Sequence, residues 1–424
     1  MQYIMVLTNL ILIRNTNITM PLDALSFLGL AAITIVIGYI GSLFFKKTGV
    51  PDVIWLLLLG LVLGPLLNLI DRTLYIAVLP LLSALALIMI LFDAGLSMDF
   101  YQVIRSFSRS LLLAIVGVVF SMIAVSLFMV FFLNFNITEG LLLGSIVGGT
   151  SSASVASIAR RVGGIRENVK TLLTLESILN DPLTIVIPIV LVGFLTATTQ
   201  INPIDPAISI VSAFSIGGML GLLGGLIWQT IADRLKEKHL EYILTLAAIF
   251  VVYITVEALH GSGPIAALLF GLVVGNKKII YGILKMRQRS REGFDNVKAT
   301  QAELSFFIRS FFFVYLGLIA VINTEFILYG VGVVAVLIIT RLAFTQFCMV
   351  KMHLRENEKN IIRIMTPRGL AAAVMIQLPL TLGLPHAAEM FNIGFIVILG
   401  TTLYTTVMAF VFRGHRHNHK KGKH

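Results

Sequence analysis

The sequence predicts an all-α polytopic membrane protein that crosses the bilayer about thirteen times. Of its 424 residues, 57% are hydrophobic and only 12% are charged, and the mean hydropathy is +0.95. A soluble domain of this size would need far more charge to cover its surface. Stretches such as 108–133 and 241–259 have the length and apolarity of bilayer-spanning helices. Because Cys348 is the only cysteine, no intramolecular disulfide can form.

Short polar loops separate the apolar segments along most of the chain. The longest loop, near 277–299, is too short to fold alone, so no separate soluble domain is expected. The predicted spans are roughly 22–45, 52–70, 73–97, 108–133, 137–160, 169–197, 205–232, 238–259, 262–282, 300–322, 325–350, 360–382 and 388–412. Together they define a membrane transporter domain over residues 21–412.

Basic residues are distributed unevenly between alternate loops, and this distribution predicts the orientation. The loops after the odd-numbered spans, together with the C-terminal tail, carry 27 of the 32 Lys and Arg residues. The opposite side carries only Arg14 and Arg72. Since cytoplasmic loops accumulate positive charge, the N-terminus is expected outside and the C-terminus in the cytoplasm of a cell-membrane protein. The net charge of +11 is then a topology signal, and no nucleic-acid partner is expected.

The two termini lie outside the predicted transporter domain. Residues 1–20 form an N-terminal extension. Its apolar stretch, MQYIMVLTNLILI, is too short to span the bilayer. It is either a signal-like segment or a stretch upstream of a chain that begins at Met20. The tail 413–424 is rich in histidine and lysine. Its histidines could hold a metal, but a solvated basic cytoplasmic end is the simpler expectation.

Span 6 combines acidic and amide side chains with a strongly apolar sequence. One polar stripe recurs at spacings of three or four residues and comprises Thr171, Thr174, Ser177, Asp181 and Thr184. Glu176 and Asn180 form a second polar row beside it, and Pro182 removes a backbone donor near Asp181. A single polar stripe on an apolar helix is expected to face the interior of a bundle or a water-filled cavity.

The predicted spans hold more acids than basic partners. The acids are Asp93, Glu176 and Asp181, with Glu257 and Glu303 as further candidates. The basic residues are Arg341 and Arg368, and Arg309 is a candidate partner of Glu303. An unpaired carboxylate in a medium of low dielectric takes up a proton or a small cation instead of standing alone. Asp181 is the acid for which we expect that exchange, because intramembrane ionisable residues are functional candidates by default.

Two spans contain residues that are expected to interrupt a helix. Span 5 has two glycines followed by three hydroxyls, Gly148 to Ser152, near its middle. Span 12 has Thr366, Pro367, Arg368 and Gly369 in succession. Packing of small residues could explain span 5 alone. Two interrupted spans in different halves of the chain point instead to inverted repeats with a binding site at the midplane of the membrane.

These motifs resemble those of monovalent cation/proton antiporters, in particular the sodium/proton NhaP-type branch. The motif ESILNDP contains the Asn-Asp dipeptide, Asn180-Asp181, in the sixth span. The other matching segments cover most of the membrane region: PDVIWLLLLGLVLGP (51–65), FDAGLSMDF (92–100), FFFVYLGL (311–318), Arg341 and PRGLAAA (367–373). The resemblance implies an NhaA-like antiporter fold and a homodimer in which a core bundle moves against a dimerisation domain.

The resemblance also implies roles for individual residues. Asp181 would bind the cation and the proton alternately, with Ser177 and Thr150 as further ion ligands and Asp93 completing the cavity. Asn180 would fix the crossing helices and Glu176 would pair with Arg341, while Arg368 belongs to the second interrupted helix. The protein would then need no cofactor and would carry Na⁺ or K⁺ in exchange for H⁺.

One position departs from the pattern of the family. Many relatives have Thr-Asp-Pro at the break of span 5, whereas this chain has Thr150, Ser151 and Ser152. The ion would then depend on neutral oxygens from Thr150, Ser151 and Ser177 around one carboxylate, and this weaker field is compatible with potassium as well as sodium. Because Asp181 is the one ionisable ligand and Asn180 beside it is neutral, the exchange is expected to be electroneutral. A sodium-coupled symporter of a small organic anion, held by Arg368, is the alternative of another class. A channel and an enzyme are disfavoured, since no repeated filter sequence, nucleophile–base set or metal-ligand cluster lies within the spans.

Overall fold

The fold is described from a computed structural model. It describes residues 32–41, 50–67, 72–161, 165–196, 205–234, 240–283, 294–350 and 352–421, together with the single positions 29 and 43. The predicted extension 1–20 lies outside the described residues. The predicted tail begins inside the last helix, which continues beyond 412, and its side chains from 413 onward lie outside the described set.

Seventeen helices make up the described part of the chain. They are α1 (Ala32–Gly41), α2 (Asp52–Leu66), α3 (Arg72–Ser97), α4 (Phe100–Leu133), α5 (Ile137–Ile146), α6 (Ser152–Arg161), α7 (Glu167–Thr196), α8 (Asp205–Ala232), α9 (Glu241–Ala258), α10 (Gly263–Gly275), α11 (Lys277–Ile283), α12 (Phe294–Ile319), α13 (Thr324–Cys348), α14 (Glu356–Ile364), α15 (Leu370–Met375), α16 (Leu378–Thr381) and α17 (Ala387–Lys421). The all-α architecture agrees with the prediction. The last turn and a half of α2 has π geometry around Pro65.

The described helices differ in whether they are long enough to cross a bilayer. Seven of them are long and apolar enough to cross a bilayer unaided, by length and composition. The pair α10 and α11, which is bent by 81°, is either an eighth, broken span or a re-entrant loop. Five further apolar helical segments are shorter. They are α1 (Ala32–Gly41), α2 (Asp52–Leu66), the second part of α3 (Leu81–Ser97), α5 (Ile137–Ile146) and α15 with α16 (Leu370–Thr381). The chain is therefore a multi-pass membrane protein, while the number of thirteen crossings stays a prediction.

Several predicted boundaries and positions are wrong. The helix of span 4 begins earlier than the predicted start at 108, since α4 starts at Phe100, because polar residues can continue a helix beyond the apolar core. Span 9 was expected as one helix, but it bends at Asn276, whose amide donates to the carbonyl oxygen of Met98 at 2.8 Å. Glu257 and Glu303 were candidate buried acids, but both side chains are exposed.

The two predicted interruptions are confirmed. Span 5 is helical as α5 and α6, with an unwound stretch over 147–151 between them. Span 12 is helical as α14 and then as α15 and α16, with an unwound stretch over 365–369. By contrast, α7 continues through Pro182 and Pro188 without a break. The site therefore forms where two discontinuous helices meet one long continuous helix.

Close main-chain contact between α3 and α10 forms a rigid part of the fold. A side chain on Gly95 would collide with the main chain of α10, and a side chain on Gly271 would collide with that of α3. Only glycine allows the two backbones to approach so closely, as is common between membrane helices. The pair carries Asp93, and so fixes one wall of the cavity that leads to the site.

Candidate functional site: the crossing of the two interrupted helices

The two unwound stretches are joined directly by their main chains. The N–H of Ser151 donates to the carbonyl oxygen of Pro367 at 2.6 Å. A Cβ atom on Gly369 would lie 2.5 Å from the side chain of Ser151, so only glycine permits this approach. In hydrocarbon, unwound backbone survives only where its polar groups find partners within the protein. This hydrogen bond supplies one such partner to each stretch.

Arg368 connects the same two stretches through its side chain. Its Nη1 atom donates to the carbonyl oxygens of Gly148 at 2.9 Å and Gly149 at 2.7 Å. Its main-chain N–H donates to Oγ1 of Thr401 at 3.1 Å, and the residue is 3% exposed. The guanidinium therefore stands just past the C-terminal end of α5, where the helix dipole favours a positive charge.

Asn180 fixes α7 to the break of span 5. Its Nδ2 atom donates to Oγ1 of Thr150 at 3.1 Å, and both residues are buried. Oδ1 of Asn180 is buried without a hydrogen-bond partner among the described atoms. An oxygen left in that state is costly unless a water or an ion reaches it. The positioning role that the family resemblance implies for Asn180 stays a prediction, and this contact is the one through which it would act.

Asp181 lies in a small enclosed cavity of about 40 Å³. Its Oδ2 atom accepts a hydrogen bond from Oγ of Ser152 at 3.3 Å, and Ser151 also lines the cavity. Among the described residues no Lys or Arg forms an ion pair with this carboxylate. Since one water occupies about 30 Å³, the space suits a single water or a largely dehydrated ion.

A larger cavity of about 500 Å³, here called the funnel, lies next to this pocket. Its walls include Asp93, Thr171 and Thr174, and it reaches Glu167 and Lys170 at the start of α7. Three residues line both spaces: Ile90, Ser152 and Arg309. The wall between the funnel and the pocket of Asp181 is therefore thin. Asp93 belongs to the funnel rather than to the walls of the small pocket.

Arg309 was expected to form an ion pair with Glu303, but in the structure it pairs with a different acid. Its Nη2 atom lies 3.3 Å from Oδ2 of Asp52 at the start of α2. Its Nε atom is buried and has no partner within the described part of the chain. A positive group thus stands at the wall of the Asp181 pocket, partly neutralised by an acid from another helix.

Glu176 and Arg341 form the buried ion pair that the resemblance implies. Nη1 of Arg341 contacts Oε1 of Glu176, and Nη2 donates to Oε2 at 3.0 Å. Nε of Arg341 donates to the carbonyl oxygen of Ile362 in α14 at 3.0 Å. All of the polar groups of this pair face other protein groups, so neither residue is left to exchange ions.

Two predicted cation ligands, Ser177 and Thr150, do not line the small cavity and have hydroxyls that are engaged elsewhere. The hydroxyl of Ser177 donates to the carbonyl oxygen of Thr174 at 2.8 Å, and neither Ser177 nor Thr150 lines the small cavity. Thr184, the last member of the predicted stripe, donates to the carbonyl oxygen of Asn180 at 3.1 Å. The role of Ser177 and Thr150 as ion ligands stays a prediction, and it would require their hydroxyl groups to rotate towards the pocket.

Sequence reasoning missed two residues near Asp181. Ser152 stands directly beside Ser151, and nothing in an unwound stretch tells which neighbouring hydroxyl faces the acid. Asp52 could have been noticed, because it is an acid at the start of an apolar span in the segment PDVIWLLLLGLVLGP. No metal-type cluster of three His, Cys, Asp or Glu occurs among the residues that the structure describes.

Comparison with known proteins places this geometry in a family. The family profile described as "Sodium/hydrogen exchanger, transmembrane" matches residues 32–413. The chain belongs to this family. Its fold is similar to the structure of the sodium proton antiporter MjNhaP1 from Methanocaldococcus jannaschii at pH 8, with a TM-score of 0.78 and 20% identity. That similarity covers 91% of this chain and 100% of the other.

Curated relatives are antiporters of potassium and of sodium. The chain is 24% identical over 375 residues to the K(+)/H(+) antiporter NhaP of Alkalimonas amylolytica, covering 87% of this chain. It is 26% identical over 385 residues to the K(+)/H(+) antiporter NhaP2 of Shewanella sp. (strain MR-4), covering 88%. The chain spans 63% of the length of each of these two relatives.

A third relative is named for sodium and has a more similar length. The chain is 28% identical over 301 residues to the probable Na(+)/H(+) antiporter 2 of Methanocaldococcus jannaschii. The match covers 69% of this chain and 68% of that protein. The expected family and fold are therefore confirmed. The antiporter prediction is favoured over the anion symporter.

Proposed function

We propose that the protein exchanges a monovalent cation for a proton across the cell membrane and that Asp181 carries both in turn. The observation that supports this most directly is a buried carboxylate with a serine hydroxyl as its hydrogen-bond partner, in a pocket of about 40 Å³ beside the funnel. The other charged groups near the crossing, Glu176, Arg341 and Arg368, are all engaged by protein atoms. Among the described charged residues at the crossing, Asp181 is the one that we propose changes its ligand.

The proposed shell combines the carboxylate of Asp181 with neutral oxygens. Ser151 and Ser152 line the pocket, and hydroxyls and carbonyls are ligands that alkali cations accept. Thr150 and Ser177 would join only after a change of rotamer. A proton and a cation are mutually exclusive on one carboxylate, so binding of one releases the other.

Sodium and potassium are the ions that we propose for this site. The matching relatives are named for potassium or for sodium. The pocket has the neutral Ser151, where the resemblance to the family implies an aspartate in many members. One proton leaves as one monovalent cation enters, so we propose an electroneutral exchange. Transport rather than enzymatic activity is the role that fits the family.

The anion symporter would need a free guanidinium, and Arg368 does not offer one readily. Two of its hydrogen bonds already go to the carbonyl oxygens of Gly148 and Gly149. An anion at Nη1 would have to displace both contacts and leave those carbonyls unpaired, which is costly in a buried site. Only Nε, which is buried without a partner within the described part of the chain, is open to it. The geometry therefore favours cation exchange.

We propose that the basic loops lie in the cytoplasm, which makes the funnel the cytoplasmic entrance. The asymmetry of Lys and Arg between alternate loops supports this orientation. We also propose a homodimer, as the resemblance implies, with the lipid bilayer as the other partner of the fold.

Reconstitution in liposomes tests the exchange directly. A pH gradient is imposed, and sodium, potassium, lithium or an organic anion is added in turn while the internal pH is followed. Proton movement driven by a cation, without dependence on the anion, is the expected result. Movement that requires the anion would support the symporter. Robust cation uptake driven by membrane potential, with no chemical gradient of cation or proton, would contradict electroneutrality.

A further inference from the structure

Arg309 stands at the wall between the funnel and the pocket of Asp181. The described residues that line both cavities are Ile90, Ser152 and Arg309, and Arg309 is the charged one among them. An ion that enters the pocket from the funnel therefore passes beside a positive charge before it reaches the carboxylate of Asp181.

Contacts on two sides hold the guanidinium of Arg309 at this wall. Its Nη2 atom lies 3.3 Å from Oδ2 of Asp52, and its Cζ atom lies 5.8 Å from the centre of the Phe306 ring. Asp52 is fixed in turn, because its Oδ1 atom accepts from the main-chain N–H of Val53 at 3.1 Å. Asp52 lines neither cavity, so an ion in the pocket is nearer to the positive end of the pair. The charge of Arg309 is therefore offset only in part.

The acids on the way to the pocket attract divalent cations as well as monovalent ones. Asp93 and Asp99 line the funnel, and Asp181 lines the pocket beyond it. Coulombic attraction grows with the charge of the ion, so these carboxylates by themselves favour a divalent ion. Dehydration in a pocket of about 40 Å³ opposes this preference, but least for a large divalent ion such as barium. Repulsion by a fixed positive charge acts against every divalent ion, whatever its size.

We propose that Arg309 is a selectivity residue that disfavours divalent cations in the pocket of Asp181, and that Asp52 sets the strength of this effect by neutralising part of its charge. A divalent ion meets twice the repulsion that a monovalent ion meets. The pocket then admits sodium and potassium and rejects calcium and barium, which have nearly the same radii. The inference rests on the proposed exchange of monovalent cations.

A purely structural role of the Asp52–Arg309 pair leads to a different expectation. The pair joins α2 to α12, but these helices also meet through their main chains. A Cβ atom on Gly60 would lie 2.8 Å from the Cα atom of Gly317, so the two backbones are in close contact without the ion pair. Loss of a structural contact would change stability or the rate of exchange, and it would affect ions of either charge alike.

Exchange in proteoliposomes with matched ions separates the two roles. Calcium is tested as an inhibitor of sodium exchange and barium as an inhibitor of potassium exchange, because the ions of each pair are similar in radius and differ in charge. For each variant, the inhibition constant of the divalent ion is divided by the KM of its monovalent counterpart. Protons compete with both ions for the same carboxylate, so this ratio at a single pH cancels that competition.

Removal of the charge should change the affinity for the divalent ion by the square of its effect on the monovalent ion, because each energy is proportional to the charge of the ion. Arg309→Gln should lower the KM for sodium by about three- to fifteenfold, and the ratio should fall by the same factor. Arg309→Lys retains the charge and should keep the ratio near that of wild type. Asp52→Asn exposes the charge of Arg309 and should raise the ratio.

Lys170 provides a matched control for the loss of one positive charge. It lines the funnel but not the pocket, and its Nζ atom lies 3.0 Å from Oε2 of Glu167. Its side chain is 24% exposed, close to the 27% of Arg309. Lys170→Gln should change the ratio by less than about twofold, because water and salt screen a charge that is farther from the pocket. An equal fall in both variants would overturn the special role of Arg309.

The remaining outcomes also decide the proposal. An unchanged ratio in folded Arg309→Gln, or no inhibition by calcium and barium in either that variant or wild type, would overturn it. If Arg309→Gln does not fold, a ratio that fails to rise in Asp52→Asn would do the same. Absence of exchange in wild type would contradict the proposed function instead. The rise of the melting temperature with added sodium or calcium would then give the two affinities, and equal effects of Arg309→Gln on both would overturn the selectivity role.

Discussion

Arg341 on α13 and Glu176 on α7 form a buried two-point contact that also reaches α14. Nη2 of Arg341 donates to Oε2 of Glu176 at 3.0 Å, and Nε donates to the carbonyl oxygen of Ile362 at 3.0 Å. Two charges that are removed from water in this way stabilise the fold only while both are present. One residue pair therefore holds the continuous helix of the site against the first half of span 12.

We expect substitution of either partner to destabilise the protein strongly. Glu176→Gln or Arg341→Gln leaves one buried charge uncompensated, at a cost of about 3–5 kcal/mol. The charge-swapped double variant should recover only part of this loss, because the carbonyl oxygen of Ile362 then lacks its donor. Melting temperatures in detergent provide the measurement. Single variants as stable as wild type would show that the pair does not support the fold.

Asp181→Asn should abolish exchange and leave the protein folded. The amide fills the same volume and can still meet the hydroxyl of Ser152, but it cannot release a proton or carry the charge that attracts a cation. Proton-coupled cation flux in liposomes is the measurement, with gel filtration and melting temperature as controls for folding. Flux near the wild-type rate in a folded variant would place the exchange at another group.

Substitutions of Ser152 and of Ser177 should differ in their effect on cation affinity. Ser152 contacts the carboxylate, whereas Ser177 bonds back to its own helix. Loss of one hydrogen bond is worth about 0.5–1.5 kcal/mol, so Ser152→Ala should change the KM for the cation by about two- to tenfold. Ser177→Ala serves as the matched variant and should change it less. The reverse order would mean that Ser177 turns into the pocket when the ion binds.

Asp52→Asn should weaken cation binding through Arg309. Without the carboxylate, the positive guanidinium at the wall of the pocket is no longer neutralised. At an effective dielectric constant of about 20, a unit charge about 10 Å away contributes about 1.7 kcal/mol, or roughly fifteenfold in affinity. The KM for the cation should rise accordingly, and Arg309→Gln in the same background should restore it. No recovery in the double variant would argue that Asp52 acts by some other contact.

Ser151→Asp should strengthen sodium relative to potassium and move the activity profile to higher pH. Ser151 lines the pocket of Asp181, and a second carboxylate there both attracts the cation and holds a proton more firmly. The isosteric control is Ser151→Asn, which adds the same bulk against Gly369 without the charge. Exchange of both ions is measured between about pH 6 and 9. Equal profiles for the acid and the amide would contradict the electrostatic explanation.

Local chemistry allowed the sequence to predict both interruptions. Paired glycines followed by hydroxyls, and a proline beside a charge, disfavour helix wherever they occur, so the stretches at 147–151 and 365–369 could be anticipated. The pairing of Glu176 with Arg341 came from resemblance to the family, because the two residues are far apart in sequence. The all-α membrane architecture followed from composition alone.

Other features depend on tertiary packing and could not be anticipated. Helical periodicity does not apply in an unwound stretch, so no pattern could tell whether Ser151 or Ser152 meets Asp181. The partner of Arg309 was sought in Glu303, close in sequence, but the structure places Asp52 beside it from a distant helix. Likewise, the amide of Asn276 at the bend donates to the carbonyl oxygen of Met98, just beyond the end of α3, and a local pattern cannot reveal that contact.

The hydrogen bond between the N–H of Ser151 and the carbonyl oxygen of Pro367 uses main-chain atoms only. Any residue except proline at 151 can supply the donor, and any residue at 367 can supply the acceptor. The side chain at 151 can therefore change without separating the two halves of the crossing. The proposed ion shell depends on a side chain at this position, whereas the crossing depends on the main chain, so a substitution at 151 can alter the first and leave the second in place.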